Sequence, residues 1–227
     1  MNNKKINLNN KYIDKIKKVN SLYLNIYKTK QINEITREII SKNEKLNIPH
    51  VFYWWLKQNY EYSLVLQVIK LIDPDNRSVS LLTLMRKLIE DRHLSEDQYY
   101  SLWKNKLGLS ENDIKEEFNR IINKNGACCA IDMITMDIKN LQEKCKKLKV
   151  YRNKILAHNN KQSIEYKITY NEIDKIIDFL KELIEKYYLL LTANSLSFDD
   201  LTDFDLVNFD SIFKFSWIEN VSKINED

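Results

Sequence analysis

The feature that most constrains this chain is its near-lack of residues that interrupt helices. Only two glycines, Gly108 and Gly126, and two prolines, Pro49 and Pro74, occur in 227 residues. A β-rich chain of this length needs many tight turns, and tight turns draw heavily on glycine and proline. Long helices joined by a few polar loops need far fewer, so the sequence predicts an all-α fold.

The same scarcity of glycine excludes several classes of enzyme. A loop that wraps around a phosphate group needs glycines, because the backbone must approach the ligand closely. No G-x-G-x-x-G or G-x-x-x-x-G-K pattern exists in the chain. Rossmann dehydrogenases, P-loop NTPases and protein kinases are therefore excluded.

Apolar periodicity and helix caps divide the chain into predicted helices. They are expected over residues 13–41, in an aromatic-rich segment after Pro49, in "SLLTLMRKLIEDRH", in two short segments that begin at Ser95 and Ser110, and over residues 127–157 and 170–192. The aromatic-rich helix is expected to be heavily buried. We interpret the chain as an N-terminal helical extension (1–48), a helical bundle (49–195) and an acidic C-terminal extension (196–227).

The helix predicted over residues 127–157 carries one sustained apolar seam. Its members are spaced by three or four residues: Ile131, Ile134, Ile138, Leu141, Cys145 and Leu148. The same spacing continues to Arg152 and Ile155, which places a guanidinium on the buried stripe, where it needs a partner. On an ideal helix Arg152 and His158 lie about 60° to either side of Ile155 and about 9 Å apart along the axis. Both side chains are therefore expected to face one cleft.

This pair of side chains suits a phosphodiester. Arginine presents a planar fork of donors that matches phosphate oxygens. Histidine exchanges protons near neutral pH, so His158 could deprotonate a ribose 2′-OH or protonate a leaving 5′-oxygen. Asn153 could orient either group, and no acidic cluster or second histidine lies nearby to hold a metal. Basic and aromatic neighbours are predicted to contact RNA: Lys146, Lys147, Lys149, Tyr151 and Lys154.

The segment Arg152-Asn153-x-x-x-Ala157-His158 resembles the R-x(4–6)-H motif of the HEPN superfamily. The "RNK..AH" wording is typical of its abortive-infection branches, particularly the AbiU type. The upstream segment "LVLQVIKLIDPDNRSVSLLTLM" is similar to that branch's helix, Asp-containing loop and Ser-Leu-initiated helix. The resemblance covers residues 49–192. The chain departs from the branch at Asn160, where an acid is expected.

The resemblance implies a HEPN-like bundle of long antiparallel helices that pairs with a second copy, so that two motifs line one composite site. It also implies a metal-independent endoribonuclease without a cofactor, in phage defence or a toxin–antitoxin pair. Arg152 would bind phosphate, His158 would transfer protons and Asn153 would be the polar residue after the arginine. RNA and an antitoxin are the implied partners. The alternative hypothesis is a non-catalytic HEPN-type module that binds RNA, a nucleotide or a protein.

Structural interpretations stay open for the same residues. Arg152 could pair with an acid on a neighbouring helix, and His158 could stabilise a helix C-terminus. His50 and His93 are expected to be structural or exposed. The aromatic cluster of residues 52–55 favours a core or a dimer seam over a base-stacking platform.

Charge indicates the kind of partner, and cysteine content indicates a reducing compartment. The net charge is +4, but residues 197–227 carry eight acids and two lysines, which leaves +10 on residues 1–196. A basic body favours a polyanionic partner.

Three cysteines without a C-x-x-C pair indicate neither a disulfide framework nor a zinc knuckle, and we expect them in the core. With no signal peptide or membrane span apparent, we expect a cytoplasmic protein.

Overall fold

Eight α-helices and one π-helical segment succeed one another in the computed structural model, which describes residues 2–44, 51–104, 109–124, 126–156 and 168–198. No strand occurs in those ranges, and the all-α prediction is confirmed. The α-helices are α1 (Asn2–Lys42), α2 (Val51–Leu71), α3 (Leu81–Glu90), α4 (Glu96–Trp103), α5 (Glu111–Asn123), α6 (Ala130–Lys144), α7 (Lys146–Tyr151) and α8 (Tyr170–Thr192).

Hydroxyl side chains fix the start of four helices. Ser80, Ser95, Ser110 and Thr169 each accept a hydrogen bond from the backbone N–H three residues ahead, and the side chain at that position bonds back to the cap. This reciprocal arrangement satisfies donors that the first turn of a helix leaves without partners. The caps predicted at Ser95 and Ser110 are thus confirmed, and α8 has the bounds that its periodicity predicts.

The long helix α1 is part of the same core as the rest of the bundle. It packs along α8 and α2 and buries one face completely, through Tyr12, Ile16, Val19, Tyr23 and Ile26. The Tyr23 hydroxyl donates to the Ile177 carbonyl of α8 at 3.3 Å. The helix begins at Asn2 rather than at the expected residue 13, and Tyr12 reaches α3 by donating to the Lys87 carbonyl at 3.0 Å. The domain boundary at residue 48 stays a prediction.

The aromatic-rich helix α2 is buried only in its second half. Leu64, Val65, Val68 and Leu71 lie in the core, whereas the side chains of the first two turns are largely exposed: Val51, Phe52, Trp54 and Trp55. The expectation of heavy burial is therefore wrong for the N-terminal half. Six consecutive apolar residues wrap around a helix of 3.6 residues per turn, so they cannot all face one side.

Candidate functional site

The helix that leads to the Arg-Asn motif is not continuous. α6 ends at Lys144, Cys145 has φ −91° and ψ 0°, and α7 then runs only to Tyr151. The prediction of one helix over residues 127–157 is wrong in this part. Four lysines between residues 144 and 149 place like charges three residues apart, which weakens an α-helix.

The motif itself begins a π-helical segment, Arg152–Leu156. A π-helix closes its hydrogen bonds over five residues instead of four, and such single turns occur frequently at functional sites. The angles between residues differ from those of an α-helix, so the 60° separation estimated from the sequence does not apply here. The wider turn begins at Arg152, where the backbone leaves α7.

The apolar seam holds near the motif and drifts at its other end. Leu141, Cys145 and Leu148 are fully buried, whereas Ile131 at the start of α6 is exposed. The first turns of α6 bury the seam member Ile134 together with three residues outside the seam, Ala130, Met133 and Asp137. The seam therefore positions α7 and the motif through its last three members.

Tyr151 fastens the start of the π-helical segment to α2. Its hydroxyl donates to the Glu61 carboxylate at 2.6 Å, and only 7% of the residue is exposed. Burial raises the pKa of the Tyr151 hydroxyl above its usual range, and the hydrogen bond and negative charge of Glu61 raise it further. The sequence predicts Tyr151 as an RNA contact, but the structure shows its hydroxyl engaged with Glu61.

Arg152 is half-buried, and its position on the seam calls for a carboxylate partner, which none of the described residues provides. Its Nε is shielded from solvent, and no acceptor for it exists among the described residues. Within the same residues Arg152 forms no ion pair, so the alternative in which it serves a structural salt bridge finds no partner there. A shielded guanidinium nitrogen without an acceptor is costly and calls for an explanation.

The predicted RNA-contacting lysines lie in different environments. Lys147 binds Glu172 of α8 at 2.6 Å, and that hydrogen bond, with one from the Thr169 backbone, lowers the pKa of Glu172 to about 2. Lys146 is exposed, and so is the neighbouring motif residue Asn153; Lys149 and Lys154 are half-buried. The lysine run thus both joins α7 to α8 and presents positive charge at the surface.

His158 and Asn160 lie outside the described residues, as does His50. The structure does bear on His93, which is 4% exposed and stacks on Tyr12 with ring centroids 4.4 Å apart. Burial lowers the pKa of its imidazole. His93 is a core residue, as the structural interpretation expects.

The expectation of core cysteines is correct for only one of the three. Cys145 is fully buried, and burial raises the pKa of its thiol to about 11. Cys128 and Cys129 are exposed in the turn before α6. Their place in a connecting turn keeps them off the helical seam, which explains why the core expectation fails for them.

Two acidic residues that sequence reasoning missed organise the surroundings. Glu61 anchors Tyr151, and Asp137 is a 97%-shielded carboxylate on α6 that accepts from Lys186 at 2.5 Å and from the Tyr187 hydroxyl at 2.8 Å. Asp137 stands three residues after Ile134 and four before Leu141, so a charge on the apolar face was visible in the sequence. No comparable signal marks Glu61, because its partner lies 90 residues away.

The described ranges contain neither a candidate metal site nor a candidate membrane span. Within them, no group of three or more histidine, cysteine, aspartate or glutamate side chains is arranged to hold a metal ion. None of the helices in those ranges has the length and apolar character needed to cross a membrane.

An all-α bundle with an Arg-Asn pair at the end of a long seam is the arrangement that the HEPN resemblance implies. A family model described as AbiU2 (HEPN_AbiU2) matches residues 10–209, which is most of the chain. The protein therefore belongs to the AbiU2 family of abortive-infection HEPN domains, and the resemblance is confirmed. No curated protein and no solved structure matches the chain.

Proposed function

We propose that this AbiU2-family protein is a metal-independent endoribonuclease that acts in phage defence or in a toxin–antitoxin pair. The observation that supports it is the shielded Nε of Arg152, which has no acceptor among the described residues. An unsatisfied buried donor costs about 1–3 kcal/mol. Phosphate oxygens of bound RNA would supply the missing acceptor and accept from the guanidinium in a bidentate manner.

The proposed reaction is attack of a ribose 2′-OH on the adjacent phosphorus. The bond from phosphorus to the 5′-oxygen breaks, which leaves a 2′,3′-cyclic phosphate on one product and a 5′-hydroxyl on the other. His158 takes the proton from the 2′-OH or gives one to the leaving oxygen. Arg152 stabilises the negative charge that develops on the phosphate, and Asn153 orients either group.

The proposed assembly is the one that the resemblance implies. We propose a cytoplasmic homodimer in which two copies of the motif line one composite site, with RNA guided by the surface lysines of α7 and with an antitoxin as a further partner. Within α7, Lys146 and Lys149 serve this role more directly than Lys147, since Glu172 already binds the Lys147 ammonium.

Incubation of the purified protein with single-stranded RNA in excess EDTA tests this function. Wild type is expected to cleave, and His158→Ala to cleave about 10²- to 10⁴-fold more slowly, because a positioned general acid–base contributes that much. The exposed loop arginine provides a control, Arg77→Ala, which should cleave like wild type. Equal cleavage by wild type and His158→Ala would remove His158 from the mechanism, and no cleavage by wild type would contradict the nuclease function.

A second candidate is a non-catalytic module that binds RNA in the same place. It is favoured by Asn160, which stands where the resemblance leads us to expect an acid that would tune the histidine. Such a module would bind RNA with a steep salt dependence. It would leave the RNA intact under the same conditions, so the EDTA experiment separates the two candidates.

A further inference from the structure

A cleft of about 370 Å³ opens between α1, α2 and the first residue of α8. Its walls include the cationic side chains Arg37 and Lys57, the rings of Tyr53 and Tyr170, and apolar side chains that include Leu56. The volume lies within the range of small-molecule and nucleotide sites. Cations and aromatic rings together are the lining that nucleic acids and nucleotides require.

Two positive charges converge on one ring in this cleft. The guanidinium carbon of Arg37 lies 5.7 Å from the Tyr170 ring centroid, and the Lys57 ammonium lies 5.5 Å from it. The two charges are therefore no more than about 11 Å apart. An anion bound between the two cations would be attracted by both of them.

The carboxylates around the cleft do not neutralise these charges. Glu61, one turn after Lys57 on α2, accepts the Tyr151 hydroxyl, and Asp174 pairs with Lys30 at 3.4 Å. Among the described residues neither Arg37 nor Lys57 forms an ion pair, although Glu34 is only three residues from Arg37. The cleft thus keeps two positive charges held over an aromatic ring.

We propose that this cleft is a subsite for one nucleotide of single-stranded RNA, next to the motif. Arg37 and Lys57 bind its phosphate, and the base stacks on Tyr53 beside Leu56. The inference rests on the proposed function, because that function is what makes the bound strand RNA. Glu61 connects the cleft with the Arg152 motif. Glu61 follows Lys57 of the cleft by one helical turn, about 6 Å along α2. Its carboxylate accepts a hydrogen bond from Tyr151, the residue that precedes Arg152.

Binding of a fluorescent single-stranded RNA tests the subsite, with His158→Ala as the background because this variant is expected to cleave RNA far more slowly than wild type. Arg37→Ala and Lys57→Ala are each expected to weaken binding about tenfold and to lower the slope of log Kd against log salt by about 0.7, the value for one lost phosphate contact on a single strand. Tyr53→Leu should weaken binding about fivefold or more through lost stacking.

Each cation variant has a matched control on its own helix. Lys18→Ala removes an exposed charge about 28 Å along α1 from Arg37, and Lys70→Ala removes one about 20 Å along α2 from Lys57. The controls should change Kd less than twofold. All of these side chains except Tyr53 are exposed, so the variants are expected to keep the thermal midpoint of the background protein.

The outcomes separate this subsite from the proposed catalysis. Cleft variants that bind RNA like their controls overturn the subsite, even if wild type cleaves RNA. Selective weakening by the cleft variants supports it, even if wild type never cleaves. A mononucleotide that competes as well, per molecule, as the RNA overturns the assignment to a strand, because the site would then hold a free nucleotide.

Discussion

Loss of the Asp137 carboxylate should destabilise the bundle by several kcal/mol. Asp137 joins α6 to α8, since it accepts from both Lys186 and Tyr187. Asp137→Ala leaves the Tyr187 hydroxyl, in a residue with no exposed surface, without its acceptor. That loss costs about 1–3 kcal/mol.

The second donor adds to this cost. The Lys186 side chain is 19% exposed, so its ammonium can recover some water when the carboxylate is gone. The loss of the ion pair therefore falls at the lower end of the about 3–5 kcal/mol that breaking a buried pair costs. Because the two losses overlap, we expect Asp137→Ala to lower the free energy of unfolding by about 4 kcal/mol, or the thermal midpoint by roughly 8–16 °C for a chain of this size.

Urea and thermal unfolding, followed by far-ultraviolet circular dichroism, measure this effect. Asp137→Asn keeps an acceptor for the Tyr187 hydroxyl and removes only the negative charge. The free energy of unfolding should therefore fall about half as much as in Asp137→Ala. Asp132→Ala removes an exposed acid from the same helix and should cost less than about 1 kcal/mol. Equal losses for Asp137→Ala and Asp132→Ala would refute the reasoning.

Two further predictions concern the contacts of α7. Tyr151→Phe removes the hydrogen bond to Glu61. We expect the free energy of unfolding, measured by urea titration, to fall by about 1–2 kcal/mol, and RNA cleavage to slow about tenfold because the π-helical segment is no longer held to α2. An unchanged unfolding midpoint would contradict this. The folded-state pKa of Glu172 lies below its unfolded value, so its contribution to stability is complete above pH 4.5 and disappears as the pH falls towards 2. Glu172→Gln should therefore lose less stability than wild type between pH 5.5 and 3.5, by about 1 kcal/mol or less for an exposed pair with Lys147, and identical acid curves for both proteins would count against the pair.

Local sequence signals predicted most of the helix starts. Ser95 and Ser110 predict the starts of α4 and α5, because a capping residue and its partner lie only three residues apart in the sequence. The last long helix, α8, kept its predicted bounds because its apolar period stays unbroken. Fold class and family follow from such short-range patterns and from a motif that is contiguous in the sequence.

The sequence did not predict features that depend on long-range contacts. The π-helical turn at Arg152 lies where the chain packs against α2, and helical periodicity assumes a constant angle per residue, so it predicts neither this turn nor the break at Cys145. The role of Glu61 depends on a tyrosine 90 residues later. Arg37 reaches the proposed subsite only because α1 packs beside α2 and α8, which no local pattern indicates.

The central claim is that the Arg152 guanidinium is kept for a phosphate rather than for the fold. The most direct measurement compares RNA cleavage in EDTA with thermal unfolding for Arg152→Ala. We expect cleavage to fall about 10²- to 10³-fold, the usual cost of losing one donor to a developing charge, while the thermal midpoint stays the same or rises, because the shielded Nε has no acceptor among the described residues to lose. A variant that cleaves like wild type, or one whose stability falls by several kcal/mol together with its activity, would contradict the account.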